Sequence, residues 1–563
     1  MNGRAPDPIQ VSVVQYKLIS IAEEMADAMT RTAISSLLNQ ALDFSTAILD
    51  AGGRSVAQAD RVPIHLGAMP SSVASAISYF TGDIHDGDVI ALNDPYWGGS
   101  HLPDITFVRP IFVGGSPAFF VANRAHHGDI GGAAHGGYNA EAVEIFQEGL
   151  RIPPVKVVSR GQVREDLLNL IAVNTRTPED IRGDLEAQLA SVAVGARRLE
   201  AFLEEMGGGL VHECVSRILD GTERIVRAEV ARWKDGVYRG ESLLDDDGHG
   251  SRDIPIRVQL TVHGDDLEVD LAESSPQVSS FINSPLANTI SAVGVAVIYL
   301  CSGEVPVNSG CLRPIRIITR KGTIVDPRPP APVGACTTHC ASEIIEAVLQ
   351  AAAQAVPGKS IAGYARRFRY AVSGKQPRTG RPYVWHLFHG RGGGGACWGS
   401  DGWSNMGVII NPGGVRSPSI ERTELEFPFW VRRYEFRTDS AGAGRWRGGS
   451  GSVFEMEMRG DEPAFLNSAG DGTVHAPYGL LGGRPGQPHS FSVCAGGAMR
   501  PLSTKEVGVR LGPGDWVWNH SAGGGGVGDP RERPRRDVER DVRDGFISPE
   551  AARDVYGYTG ACP

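Results

Sequence analysis

Between Leu92 and Gly132 the chain carries two clusters of histidine and carboxylate with a strand-like run between them. In LNDPYWGGSHLPDITFVRPIF, His101 and Asp104 stand three residues apart, behind the turn-forming Asp94-Pro95 and Gly98-Gly99 pairs. In NRAHHGDIGG, His126, His127 and Asp129 follow the apolar Pro117–Ala125 run and precede Gly131-Gly132. Imidazole nitrogens and carboxylate oxygens on rigid positions are what a borderline divalent cation takes, with three protein ligands and an open position when the metal is catalytic. The spacing predicts a metal centre split across a strand pair. The competing reading keeps the same side chains as a buried hydrogen-bond network without metal. His127 and Asp129 suit either the orientation of ligands or proton transfer. Asp43 is available as a fourth ligand, but spacing alone does not assign it.

These clusters must be positioned by the elements around them. Residues Val14 to Ala41 place Leu18, Ile21, Met25, Met29, Ala33, Leu37 and Leu38 near the helical period, predicting one long amphipathic helix or two joined ones. Asp43 then falls where the chain leaves a helix and enters a hairpin, TAILD and SVAQA joined through Gly52-Gly53. Met69–Phe80 reads as a helix, and His85–Asp88 as a turn into the strand Val89–Leu92. Pro178–Met206 reads as a long helix with acids early and arginines late, as the macrodipole favours. Another helix spans Val211–Trp233. Alternating strands with DG and GDD turns follow, and helices return at Asn288–Leu300 and Ser342–Val356.

The expected fold class is mixed α/β and multidomain, with a helix-rich N-terminal region carrying the metal site and a β-dominated C-terminal region. Its expected divisions are 1–235, 236–373, 374–515 and a C-terminal tail, 516–563, in which Ser548 caps a short helix. A chain of 563 residues exceeds what one hydrophobic core supports, which argues for two or more domains.

The charge of −10, from 55 basic and 65 acidic residues, disfavours nucleic acid as a partner. MNGRAPDPIQ has no basic region followed by an apolar one, and no stretch approaches the ~20 apolar residues that span a bilayer. The expectation is a soluble, cytoplasmic protein with no membrane partner. Eight dilute cysteines read as reduced thiols. Cys336, His339 and Cys340 offer soft ligands on one turn, but lack the matching distant half of a zinc site, so packing is the better reading. Gly390, Gly392 and Gly395 satisfy GxGxxG, as do Gly523, Gly525 and Gly528. Neither set sits between a strand and a helix, so loop flexibility is preferred over a dinucleotide site. A P-loop is absent from the sequence, so any nucleotide is expected on another chain.

DFSTAILDAGG, HLGAMPSSV, LNDPYWGGSHLPDITFVRPIF, AHHGDIGG, EIFQEGLRIPPVK, RYEFRTDSAGAGRWRGGSG and GGGGVGDP occur in order along most of the chain. Together they resemble the hydantoinase B/oxoprolinase family, which includes B-type subunits of ATP-dependent hydantoinases and lactamases, the matching half of 5-oxoprolinase, and a subunit of acetone and acetophenone carboxylases. The resemblance implies a metal (Mn, Zn or Fe) held by Asp43, His101, Asp104 and His126. It also implies an A-type partner subunit that binds ATP and phosphorylates a cyclic amide, in a hetero-oligomer such as a heterotetramer of two A and two B chains. The implied activity is ATP-dependent hydrolysis of a hydantoin, lactam or 5-oxoproline ring by a metal-activated water, with His127 or Asp129 handling the proton. The alternatives are a subunit of a ketone carboxylase and a non-catalytic scaffold for the partner. One departure from the family's pattern, Ala133–Tyr138 after DIGG, bears on the substrate and leaves the ligands untouched.

Overall fold

The computed structural model describes residues 6–59, 61–301, 305–412 and 414–560, the side chain of Leu66 apart. In chain order the helices are α1 (Pro8–Thr32), α2 (Ser36–Asn39), α3 (His65–Tyr79), α4 (Glu165–Val173), α5 (Pro178–Met206), α6 (Gly208–Val230), α7 (Leu286–Leu300), α8 (Ala341–Ala355), α9 (Ile420–Glu426), α10 (Arg535–Arg543) and α11 (Pro549–Asp554). No helix among the described residues is long and apolar enough to cross a membrane.

The N-terminal sheet is built from β1 (Phe44–Asp50), β2 (Ser55–Ala59), β3 (Val89–Leu92), β4 (Asp104–Val113), β5 (Ser116–His126), β6 (Val155–Ser159) and β7 (Gln162–Val163), in the order β2-β1-β5-β4-β3-β6-β7. The listed pairings within it are antiparallel, including the expected β1–β2 hairpin. β1 is buried along its whole length, which explains why FSTAILD is apolar on both faces. α1 and α5 cover one face. α1 buries Val14, Leu18, Ile21, Met25 and Met29, and Asp7 caps it through a reciprocal pair with Gln10.

Two helix expectations change. The run expected over Val14–Ala41 starts earlier and breaks at Ala33–Ser35, where the buried Asp184 of α5 accepts the Ile34 and Ser35 N–H groups at 2.9 and 3.0 Å. A carboxylate supplied from another helix thus satisfies the backbone at the break. The helix expected from Met69 begins at His65, because Pro70 marks no start and lies five residues inside α3.

The middle region forms a four-stranded sheet from β8 (Gly236–Asp246), β9 (Arg252–His263), β10 (Asp266–Asp270) and β11 (Ile315–Ile318), ordered β11-β10-β9-β8 and packed against α8. The remaining strands are β12 (Phe368–Lys375), β13 (Pro382–His386), β14 (Phe429–Phe436), β15 (Ser452–Met458), β16 (Ala464–Gly470), β17 (Ser490–Ala495), β18 (Ala498–Pro501), β19 (Val509–Leu511) and β20 (Trp516–His520). They make a four-stranded sheet, β13-β12-β16-β19, and a five-stranded one, β14-β15-β20-β17-β18, around a core of Tyr370, Trp385, Phe454 and Phe491. The fold is therefore multidomain mixed α/β. β20 lies inside the five-stranded sheet, so the chain beyond residue 515 is integral up to that point. Beyond it, Arg533 clamps Asp401 and Asp541 at 2.7 and 2.8 Å, and Ser548 caps α11 by accepting the Ala551 N–H.

The two GxGxxG tracts pack against each other through backbone alone. Gly393 N–H donates to the Ala522 carbonyl, Gly449 N–H to Gly394, Gly524 N–H to Gly449 and Gly525 N–H to Gly363, all at 2.8–2.9 Å. A Cβ on Gly524 would run into the carbonyl of Gly394, and one on Gly393 into that of Gly449. Glycine is needed here for close approach between chains.

Candidate metal centre

The sheet order brings the two clusters together. β1, β5 and β4 are neighbours, and Asp104 at the start of β4 is the register partner of His126 at the end of β5. Asp43, one residue before β1, accepts the His126 N–H through its carbonyl at 3.0 Å. His101 lies in the turn leading into β4, closed by the Asp104 N–H bond to its carbonyl at 3.1 Å. One edge of three adjacent strands thus gathers residues separated by up to 83 positions, counted from Asp43 to His126.

One potential ligand atom each from His101, Asp104 and His126 lie within 4.8 Å of one another. Asp104 is the hub. Its Oδ2 accepts the Ser100 hydroxyl at 2.6 Å and lies 2.9 Å from His101 Nδ1 and 3.5 Å from His65 Nε2; its Oδ1 lies 3.1 Å from His126 Nδ1. Burial alone would raise the Asp104 pKa, but the imidazoles of His101, His126 and His65 hold it well below the ordinary range. Burial lowers the His101 pKa. Burial also acts to lower that of His126, but the hydrogen bond to Asp104 and the charge of Asp43 outweigh it and raise the value.

The residues fit a divalent cation. His101 Nδ1 is buried with no properly directed hydrogen bond despite the carboxylate beside it, and among the described residues no hydrogen bond or ion pair holds the Asp43 carboxylate. Two imidazoles, a buried carboxylate and a second, unheld carboxylate at one small cavity form a nitrogen–oxygen donor set of the kind borderline metals take.

That cavity, ≈ 30 Å³, is lined by Asp43, His65, His101, Asp104, His126 and Tyr138 among others. It shares Val62 with an apolar cavity of ≈ 490 Å³ bordered by Pro63, Tyr299, Trp403 and Met406. It shares Arg367, Arg369 and Asn411 with a third cavity on another side.

His127 and Asp129 point elsewhere. His127, 1 % exposed, sets Nε2 3.0 Å from Gln188 Oε1 on α5, and does not line the metal-site cavity. Burial lowers its pKa. Asp129 is fully buried and accepts the backbone N–H groups of Gly131, Gly136 and Arg176, besides the Arg176 guanidinium at 3.1 Å. It holds the loop that leads to Tyr138, which reaches the cavity. Cys336, His339 and Cys340 diverge: their side chains meet the Ser100 carbonyl, Thr338 Oγ1 and the Ile324 carbonyl respectively. The seven cysteines among the described residues are free thiols, while Cys562 lies outside those residues.

Sequence reasoning missed His65 and His386. His386, at the end of β13, donates or accepts at the Gly128 carbonyl at 2.8 Å, and its ring stands edge-on to His126 at 6.0 Å. His65 is legible only once α3 is known to begin there.

The profile of the hydantoinase B/oxoprolinase family matches residues 7–530. The chain belongs to that family. The beta subunit of caprolactamase from Pseudomonas jessenii is 35% identical over 565 residues, covering 98% of this chain and 96% of that one. The crystal structure of ATP-dependent caprolactamase from the same organism superposes with a TM-score of 0.92 at 33% identity, covering 99% of this chain and 98% of that chain. The nucleotide-free structure of an acetone carboxylase superposes at 0.90 with 19% identity, covering 99% of this chain and 80% of that chain, a likeness of fold alone. As a hydantoinase B/oxoprolinase member, the chain falls among ATP-dependent hydrolases of cyclic amides.

Proposed function

We propose that this chain is the B-type subunit of an ATP-dependent cyclic amide hydrolase, and that Asp43, His101, Asp104 and His126 hold a divalent metal at which the ring is opened. The observation that carries the reading is the meeting of His101, Asp104 and His126 at one strand edge, with the unheld Asp43 carboxylate lining the same cavity. The similarity to a caprolactamase beta subunit supports a lactam-type substrate and an ATP-binding partner subunit.

A ring amide is a poor electrophile, and phosphorylation of its oxygen by the partner turns it into an activated imidate. When bound, a divalent cation supplies Lewis acidity that makes water a competent nucleophile near neutral pH. The chain's own residues do the rest. Asp104, fixed by the Ser100 hydroxyl, sets the rings of His101 and His126. The apolar cavity beside Val62 suits the carbon skeleton of the ring. His127 and Asp129 are positioning groups in this proposal: the first ties the end of β5 to α5, and the second shapes the loop carrying Tyr138.

The test pairs the purified chain with its ATP-binding partner and follows metal content, ring opening and ATP consumption for His101→Ala and Asp104→Ala. Loss of metal and ring opening with residual ATP consumption is expected. Equal loss of both activities would assign a structural role, and unchanged turnover in Asp104→Ala would leave a scaffold. Incorporation of labelled carbon dioxide into a ketone, with no ring opening, would favour the carboxylase reading.

A further inference from the structure

Beside the candidate ligands stands a group of buried cations that nothing in the protein neutralises. Arg367 and Arg369, each 7% exposed, line a cavity of ≈ 30 Å³ together with Arg391, and both also face the metal-site cavity. Their neighbour Arg366 shows the ordinary solution for a buried guanidinium: it meets Glu343, Glu346 and Asp471, each at 2.7 Å. Among the described residues, the guanidinium groups of Arg367 and Arg369 have no hydrogen bond or ion pair, and Arg367 Nε and Arg391 Nη2 are buried without partners. Arg369 lies 4.2 Å over the Phe388 ring, and Arg391 Nε donates to the Phe388 carbonyl at 3.1 Å. The carboxylate whose charge reaches Arg369 and Arg391 is Asp43, a member of the proposed ligand set.

Burying cations without counter-charge is costly, so a chain retains such a group where a ligand supplies the missing charge. Guanidinium forks match phosphoryl oxygens in pairs. We propose that Arg367, Arg369 and Arg391 form the seat for the phosphoryl group of the activated amide.

The inference rests on the hydrolytic reading above, and the chemistry of that reading requires such a seat. Water adds to the imidate carbon; the ring C–N bond then breaks and its electron pair takes up a proton from that water, leaving an amine and an acyl phosphate. A second water displaces phosphate, giving a carboxylate and inorganic phosphate. The phosphoryl group therefore stays beside the reacting carbon through both steps, carrying negative charge throughout. Arginines on the wall shared by the two cavities can hold it there while the ring occupies the opposite, apolar side.

The experiment is a calorimetric titration of inorganic phosphate into the purified chain, with acetate and ADP as separate arms. Wild type is compared with Arg369→Met, Arg391→Met, their double variant and His101→Ala; Arg369→Lys, which keeps the charge and loses the fork, replaces Arg369→Met if that chain does not fold. Phosphate is expected to bind wild type and His101→Ala, to bind each methionine variant roughly tenfold more weakly, as the loss of one charge-assisted contact predicts, and to show no saturation with the double variant. Absent binding to wild type, equal binding to the arginine variants, or binding lost only in His101→Ala would overturn the proposal. Acetate binding as tightly as phosphate, or ADP binding far more tightly on the same arginines, would also overturn it, reassigning the seat to a carboxylate or a nucleotide. Metal content and partner-coupled ring opening, measured on the same preparations, separate the two readings. Intact metal and turnover without phosphate binding would sink the seat alone, whereas phosphate binding in a chain without metal or turnover would sink the hydrolytic reading alone.

Discussion

His127 sits directly beside a proposed ligand in the sequence and yet faces away from the cavity, so replacing it separates positioning from proton transfer. In His127→Phe the Nε2 contact to Gln188 at 3.0 Å is lost, and Gln188 Oε1 is left buried. The amide Nε2 of Gln188 keeps its bonds to the Ile105 carbonyl and Asn123 Oδ1, both at 2.9 Å, so the side chain cannot turn away to find another partner. The lost neutral hydrogen bond costs about 1 kcal/mol and the orphaned acceptor about 1–3 kcal/mol, giving a destabilisation of roughly 2–4 kcal/mol. His127 Nδ1 has no hydrogen-bond partner to lose, and the phenyl ring fills most of the same volume. Urea unfolding measures the stability, and partner-coupled ring opening below the transition measures the rate. A positioning role predicts less than a tenfold fall in turnover, with its pH profile unchanged. A proton carrier would instead lose about 10²–10⁴-fold. Such a loss, with unfolding shifted by less than about 1 kcal/mol, would refute the positional assignment. A double-mutant cycle with Gln188→Leu should return a coupling of about 0.5–3 kcal/mol if the contact is the seat of the effect.

Glu148 is buried, and burial pushes its carboxyl up to about 8 despite N–H bonds from Val333 and Gly334 at 2.9 and 2.6 Å. Its folded pKa thus lies above the unfolded value, so its stabilising contribution is complete below about 4.5 and is lost as pH rises through about 8. The difference in urea stability between wild type and Glu148→Leu should change by ~1.4 kcal/mol per pH unit inside that window, and a flat difference would rule out a buried, protonated Glu148. Arg366→Met removes the partner of three buried carboxylates and should cost about 3–5 kcal/mol, read from the denaturation midpoint at neutral pH. A loss below about 1 kcal/mol would mean that those acids are already neutral in the wild type.

Much of the centre was legible because its signals are local. HxxD and HH-x-D flank a run that alternates like a strand, so a hairpin joining β4 to β5 brings Asp104 beside His126, whatever the rest of the chain does. Asp43 needed the family resemblance, since only the pairing of β1 with β5 places it at that edge. His65 was hidden by Pro70, which imitates a helix start. His386 and the arginines at 367, 369 and 391 come from the C-terminal sheets more than 240 positions from His126, and no periodicity in a single sequence marks such long-range convergence. The α1–α2 break was equally invisible, because the carboxylate that stabilises it belongs to α5. The long helix α5 and the Ser548 cap were legible for the opposite reason, each being specified by neighbours within one or two turns.

The interleaved glycine strands around residues 393–395, 449 and 524–526 hold together through amide–carbonyl bonds with almost no apolar side-chain surface between them. Their cohesion is therefore polar in origin, and they add little to the heat-capacity change of unfolding, which follows apolar exposure. Warming or cooling should weaken the hydrophobic cores and this layer at different rates. Amide hydrogen exchange resolved by residue would show it: the buried glycine N–H groups here should stay protected at low temperature for as long as those of the neighbouring aromatic core. A region that looks like flexible linker in composition would then behave as one of the most slowly opening parts of the molecule.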